Sequence, residues 1–225
     1  MSSDGKTIAA MVRVYHASDS HEHAAIERAL RITPARAERS GELPSLLRRF
    51  GNQNFEFASM PLHELRKVFR AVKLGPADLF CDAGAGYGHA VFYGACVAGG
   101  RFRAIEILPV RCAAMRRTAA RLGLTNVEIV QADAFSQSYA DVTCLFLNNP
   151  FFPDAAARFV RHLKSERRRA LTVIAAHNIV DAFRADGDFV EMDTPAGLPD
   201  YRFGVFRWKR RSTSSSRSSC RARAP

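Results

Sequence analysis

Asp78-Leu79-Phe80-Cys81-Asp82-Ala83-Gly84-Ala85-Gly86-Tyr87-Gly88 joins an apolar strand to a glycine loop, with an acid two residues ahead of the first glycine. Gly84 and Gly86 let the backbone turn sharply and approach a ligand, and Gly88 opens a helix whose free N–H groups and positive dipole end face that ligand. A dinucleotide fingerprint reads G-x-G-x-x-G; here the third glycine comes one position early and His89 fills its slot. In a dinucleotide site the anion at this spot is a pyrophosphate, which Asp82 would repel. A ligand whose amino-acid end carries an ammonium suits that carboxylate, so the spacing favours S-adenosylmethionine over NAD. No G-x-x-x-x-G-K-[ST] run occurs, which excludes a P-loop. Taken alone, the glycine run also fits an ordinary tight turn.

Two further acids strengthen the ligand reading. After a helical segment from Tyr87 to Val97 and the Gly99-Gly100 break, Arg103-Ala104-Ile105-Glu106 reads as a second strand ending in a carboxylate. A residue ~20 positions beyond the glycines, at the end of the next strand, is placed to accept both ribose hydroxyls. Asn126 to Gln131 forms a third strand and delivers Asp133, an acceptor for an adenine amino group, while Phe135 or Ile107 covers the ring face. Each acid alone fits a solvated loop charge; three successive strands each followed by a carboxylate do not read that way.

The fourth strand, Asp141 to Leu147, runs into Asn148-Asn149-Pro150-Phe151-Phe152. Together with Asp78–Gly88, Glu106 and Asp133, this run resembles the class I, seven-strand methyltransferases. In detail it is similar to the non-SET nucleosomal lysine methyltransferases of the disruptor-of-telomeric-silencing family. Those enzymes carry Asp-Leu-Phe-x-Asp-x-Gly-x-Gly-x-Gly, an acid after the second strand, Gly-Asp-Phe after the third and Asn-Asn-Phe-x-Phe after the fourth. The resemblance spans about residues 55 to 208. It implies an S-adenosylmethionine cofactor held by Asp82, Gly84, Gly86, Gly88, Glu106, Asp133 and Asn148, with Phe152 in the place of the second aromatic, and a protein lysine as acceptor.

Two departures keep a second acceptor open. The Tyr-Gly-Glu-Thr lid of the histone enzymes falls on Phe57-Ala58-Ser59-Met60, without its acid. Pro150 replaces the first aromatic, so Asn148, Pro150 and Phe151 also fit the [Asn/Asp/Ser]-x-Pro-[aromatic] motif of amino-methyltransferases acting on adenine. There a side-chain amide and backbone carbonyls bind the exocyclic amine, and an aromatic ring stacks on a flipped base. The catalytic candidates are Asn148, Asn149, Phe151 and Phe152. A lysine nucleophile, with an unperturbed pKa near ~10.4, must arrive neutral through an apolar channel, for which Phe57, Phe151 and Phe152 are the candidate walls. His177, after the fifth strand, is a candidate for assisting deprotonation, or a capping and packing residue. A third reading, of another class, is an inert methyltransferase fold kept as an RNA-binding or assembly module.

Composition agrees with one enzyme domain. The 225 residues are 47% hydrophobic and 24% charged, ordinary globular usage with enough chain for a full core. No stretch of ~18 apolar residues or signal-peptide h-region is visible, so an intracellular, cytoplasmic address without membrane contact is expected. Five scattered cysteines, never C-x-x-C, and seven scattered histidines imply neither a disulfide framework nor a metal site. The net charge of +11 is uneven: Lys209 to Pro225 holds six Lys/Arg and no acid, leaving +5 on residues 1–208. The Ser/Arg-rich tail, 210–225, is expected to be disordered and to attract acidic partners, nucleic acid among them, without reading sequence. The Arg48-Arg49, Arg116-Arg117 and Arg167-Arg168-Arg169 clusters read as exposed faces.

The alternation of periods predicts an α/β, Rossmann-like seven-stranded methyltransferase sheet, mostly parallel with a terminal antiparallel hairpin and helices on both faces. Residues 1–60 form a helical or lid segment, of which 1 to about 20 read as poorly ordered, and Glu22–Leu30 and Leu43–Phe50 as short helices. Residues 61–209 form the methyltransferase domain, opened by a helix from Pro61 to Val72. Later helices are expected at Leu108–Leu122 and Pro153–Lys164. Strands are expected at Leu171–Ala176, Asp188–Met192 and Arg202–Trp208, the last two paired across the Thr194–Pro199 turn. Ligands in such sheets bind outside the carboxyl ends of the strands.

Overall fold

The computed structural model describes residues 3–32, 59–166, 170–193 and 203–209. Its sheet has seven strands: β1 (Leu79–Ala83), β2 (Arg101–Glu106), β3 (Val127–Gln131), β4 (Cys144–Asn148), β5 (Thr172–Ala176), β6 (Phe189–Met192) and β7 (Phe203–Trp208). They lie in the order β3-β2-β1-β4-β5-β7-β6. The first five run parallel, and β7 enters antiparallel to both β5 and β6. This is the expected seven-strand sheet with its terminal antiparallel pair.

The central strands are apolar on both sides because helices cover both faces. In β4, Cys144 and Phe146 enter one core while Leu145 and Leu147 enter the other, and β5 splits Ile174 and Ala176 from Val173 and Ala175 in the same way. In β1, Phe80 faces the first core and Leu79, Cys81 and Ala83 the second. Asp82 shares the parity of Phe80, so a carboxylate interrupts an otherwise apolar row.

Seven α-helices surround this sheet among the described residues: α1 (Ser3–Ala17), α2 (His23–Leu30), α3 (Leu62–Val72), α4 (His89–Val97), α5 (Pro109–Leu122), α6 (Pro153–Glu166) and α7 (Ile179–Arg184). Residues from α1 to α5 contribute to the first core, and residues from α6 and α7 to the second. Helix α5 has Pro at its first position, where the absent N–H costs nothing, and stops at Gly123 with φ 64°. Helix α3 docks through Leu62, Leu65, Val68 and Phe69, with the Phe69 ring 5.1 Å from Phe80 and 5.8 Å from Tyr93. His177 and Asn178 lead into α7, a helix not foreseen.

The amino end corrects the expectation of disorder over residues 1–20. Ser3–Ala17 is helical, and Gly5, Ala9, Val12 and Tyr15 are buried along one side of it. The His16 imidazole Nδ1 meets the Tyr93 hydroxyl at 3.0 Å, and Arg70 donates to the His16 and Ser18 carbonyls, closing the helix end. The second expected helix, Leu43–Phe50, Phe57, the Arg48-Arg49 and Arg167–Arg169 clusters, the Thr194–Pro199 turn and the 210–225 tail lie outside the described residues.

Packing between α3, α4 and β2 depends on Gly94. A Cβ there would sit 2.4 Å from Phe69 Cζ and 2.6 Å from Phe102 Cε1. Gly94→Ala is therefore expected to destabilise the protein by about 1–3 kcal/mol despite the better helix propensity of alanine. Urea unfolding checks it: the midpoint should fall with an unchanged m value, and an unchanged midpoint would show that the rings yield freely.

Candidate active site

The sheet order puts β1 between β2 and β4, so crossovers leave it in opposite directions and a crevice opens at its carboxyl end. Asp82 sits near the end of β1, Glu106 ends β2 and Asn148 ends β4. All three line one cavity, together with Gly84, Gly86, Ile107, Asn149 and Phe151. The loop after β1 is folded back on β2 by two hydrogen bonds, Gly84 N and Ala85 N both donating to the Ile105 carbonyl at 2.9 and 3.0 Å.

Three glycines of that loop have positive φ, and they serve different ends. Gly84 has φ 86°, and a Cβ on it would lie 2.6 Å from Pro150 Cβ. Its bareness lets the Asn148–Phe152 loop close against the glycine loop. Gly86 turns its N–H onto Glu106 Oε2 at 2.9 Å. Gly88 does not line the cavity. It caps α4, and a Cβ there would meet Phe92 and Met115 at 2.8 and 3.0 Å, so it is a packing glycine between α4 and α5.

Two buried carboxylates face the cavity. Asp82 is 4% exposed, and burial, reinforced by the nearby charge of Glu106, pushes its pKa up to about 8. Glu106 is equally buried, and its burial also raises its pKa. It is opposed by Arg111, whose Nη1 lies 3.6 Å away, and by N–H donation from Leu108 and Gly86. The cavity thus holds two buried acids and one buried guanidinium. With Asp82 protonated in the free protein the charges match; a ligand carrying a sulfonium and an α-ammonium would favour the ionised Asp82 carboxylate and pair with it, which a pyrophosphate would not.

Other expected site residues are distributed less simply. Asp133 caps the short 3-10 turn Ala134–Ser136, its Oδ1 accepting from Phe135 N at 3.0 Å, and its neighbours Ala132 and Ala134 are the ones lining the cavity. Phe135 turns to the second core, 5.1 Å from the Phe151 ring and 5.5 Å from Phe159, so in this conformation it does not cover the cavity; Ile107 does line it. Phe151 is buried against Phe159 at 4.7 Å while one side reaches the cavity, whereas Phe152 is 44% exposed and not among the lining residues. No apolar channel of Phe151 and Phe152 forms among the described residues. His177, at φ 66° after β5, also lies off the cavity.

Two residues that spacing did not single out, His89 and Arg111, complete the wall with Ser59 and Met60 of the expected lid position. His89, read only as the occupant of a glycine slot, lines the cavity at the start of α4, and burial pushes its pKa down to about 4, holding it neutral. Arg111 lines it from α5, and Ser59 and Met60 close it from the approach to α3. Arg111 was recoverable in principle: it follows Glu106 by five residues on a helix that begins beside that carboxylate.

No protein-family model matches the chain, and no curated protein matches it. Among solved structures, an RNA methyltransferase from Salinibacter ruber in complex with S-adenosyl-L-homocysteine is similar with TM-score 0.55 at 23% identity, over 67% of this chain and 92% of that one. A putative methyltransferase, yhhF, from Escherichia coli is similar with TM-score 0.56 at 12% identity, over 70% and 90% of the two chains. A precorrin-6y C5,15-methyltransferase from Geobacter metallireducens reaches TM-score 0.50 at 13% identity, over 69% and 92%. The chain therefore has the Rossmann-like seven-strand methyltransferase fold. At these identities the likeness extends to the fold, and acceptors as different as RNA and precorrin share it.

Proposed function

We propose that the protein is an S-adenosylmethionine-dependent methyltransferase whose acceptor is an exocyclic amine of a nucleic-acid base. One observation carries the reading: the Asn-x-Pro-aromatic loop, Asn148 to Phe151, lies against the bare Gly84, so amide groups border the cavity that also holds Asp82 and Glu106. Those amides suit an amine that is already neutral. Of the three candidate walls of a lysine channel, Phe151 lines the cavity, Phe152 does not and Phe57 lies outside the described residues, so the amide-bearing loop carries more weight here than the channel. The similarity to an RNA methyltransferase from Salinibacter ruber supports the same reading.

The bound cofactor would supply an electrophilic methyl on a sulfonium. Asp82 would pair with its ammonium and Glu106 with its ribose hydroxyls, Arg111 opposing the rise that burial imposes on the Glu106 pKa. Asn148 would accept a hydrogen bond from the acceptor's N–H and so aim the nitrogen lone pair. Once methylated, the acceptor nitrogen would give up its spare proton to water. Phe152, exposed beside the loop, would stack on the base. Rate enhancement would rest mainly on alignment.

The test is incorporation of labelled methyl from the cofactor into cell extract, followed by nuclease or protease. Nuclease should release the label, and the digested nucleosides should carry an N-methylated base. Label released by protease as methyl-lysine would overturn the acceptor, and failure to bind cofactor at all would favour the inert module.

A further inference from the structure

Helix α5 carries Arg111, Arg116, Arg117 and Arg121 and no acid over its whole length. Arg111 belongs to the cavity already described. Residues 114, 117, 118 and 121 recur at helical spacing on another face, and there they meet the carboxyl end of α2. A second cavity opens at that junction, lined by Arg31, Tyr87, Arg117, Thr118 and Arg121, with Ile32 and Ala114. Three guanidinium groups and a hydroxyl converge on it, and no carboxylate is among its described lining. Arg121 is held in place: its Nη1 donates to the Ala29 carbonyl at 3.4 Å and its Nη2 to that of Leu30. Burial and the charge of Arg31 both lower the pKa of Arg121.

The second cavity adjoins the first. Tyr87 stands between Gly86 and Gly88, and Arg111 lies over its ring at 5.8 Å. The chain leaves the basic cavity at Ile32 and re-enters the described structure at Ser59, on the rim of the cofactor cavity. Planar donors in a fork match phosphate oxygens, and a phosphodiester held here would run beside the glycine loop.

We propose that Arg31, Arg117 and Arg121 form a phosphate site that grips the backbone of a polynucleotide acceptor and registers it against the transfer site. The inference rests on the nucleic-acid reading given above. The site positions without reading bases, so its contribution is strongly dependent on salt.

The test is binding of a fluorescent mixed-sequence single-stranded 20-mer RNA to the full chain across a series of KCl concentrations. The double variant Arg31→Gln/Arg117→Gln spares Arg121 and its contacts to α2. It should bind roughly tenfold more weakly at low salt, with a log-log salt slope shallower by about 1.4, the value for two lost phosphate contacts on a single strand. Its S-adenosylhomocysteine affinity, read by calorimetry, should not change. The control Arg101→Gln/Arg207→Gln removes the same charge elsewhere and should leave the slope unchanged. Equal slopes for wild type and the first variant would overturn the phosphate site while leaving the nucleic-acid reading intact, as would an equal loss in the control. Wild-type protein that binds no polynucleotide would overturn both. Thermal stabilisation by inorganic phosphate without RNA binding would overturn the polynucleotide and leave a small phosphate ligand.

Discussion

Asp82→Asn is expected to weaken S-adenosylmethionine binding by ~10–100-fold while making the free protein more stable at alkaline pH. The first effect follows from loss of a charge-assisted contact, worth ~1.5–3 kcal/mol. The second follows from the position of the carboxylate. In the unfolded chain an aspartate ionises near ~4, whereas in the fold Asp82 holds its proton to about 8 because it is buried and close to Glu106. The native state therefore binds the extra proton between those values. The stability contributed by the neutral carboxyl is complete below about 4 and is lost as pH rises to about 8, by an amount on the order of a few kcal/mol. Asparagine has no charge to bury. Its advantage should be absent at pH 4, grow across that window and level off above it. Melting curves from pH 4 to 9 check the stability arm. Calorimetry checks the other: wild-type affinity should fall about tenfold per pH unit below 8 with proton release on binding, and the variant should lose that pH dependence. A variant that binds as wild type does would remove Asp82 from the site.

Asn148→Ala is expected to lower the rate of methyl transfer by roughly 10²-fold with little change in cofactor affinity, because misalignment of a reacting pair costs about that much. The backbone of Asn148 pairs with Ala176 of β5, so the ladder survives loss of the side chain. Asn148→Asp keeps an acceptor for the amine N–H and should recover part of the rate. Single-turnover transfer to the acceptor identified by labelling, with calorimetry of cofactor binding alongside, separates the effects. A fall in cofactor affinity equal to the fall in rate would assign Asn148 to the cofactor alone.

What could be foreseen was local in origin. Asp78–Gly88 encodes a strand, a turn requiring positive φ and a helix start within eleven residues, so the fold could be read from it, and the alternation of later segments supplied the sheet. Helix α1 was missed because its buried side is Gly5, Ala9, Val12 and Tyr15, a weak apolar stripe whose burial depends on distant partners such as Tyr93. Phe135 and Phe152 show the same limit within the site. An aromatic after a strand could turn to ligand, core or solvent, and the outcome was set by Phe151 and Phe159. Gly88 was legible as a backbone requirement, and a Cβ there would also meet Phe92 and Met115, a packing demand that the local sequence does not reveal.

The contact between Gly84 and Pro150 has a bearing on how such an enzyme could change its acceptor. With the space above residue 84 filled by the proline ring, the surface that would select an amine and the surface that would cradle the donor are two sides of one wall. Substitutions at 149–152 that reshape the acceptor pocket would press on the glycine turn, and donor affinity would drift with acceptor preference. A lineage seeking new acceptors has more freedom where recognition is remote from that wall, along the α2–α5 face.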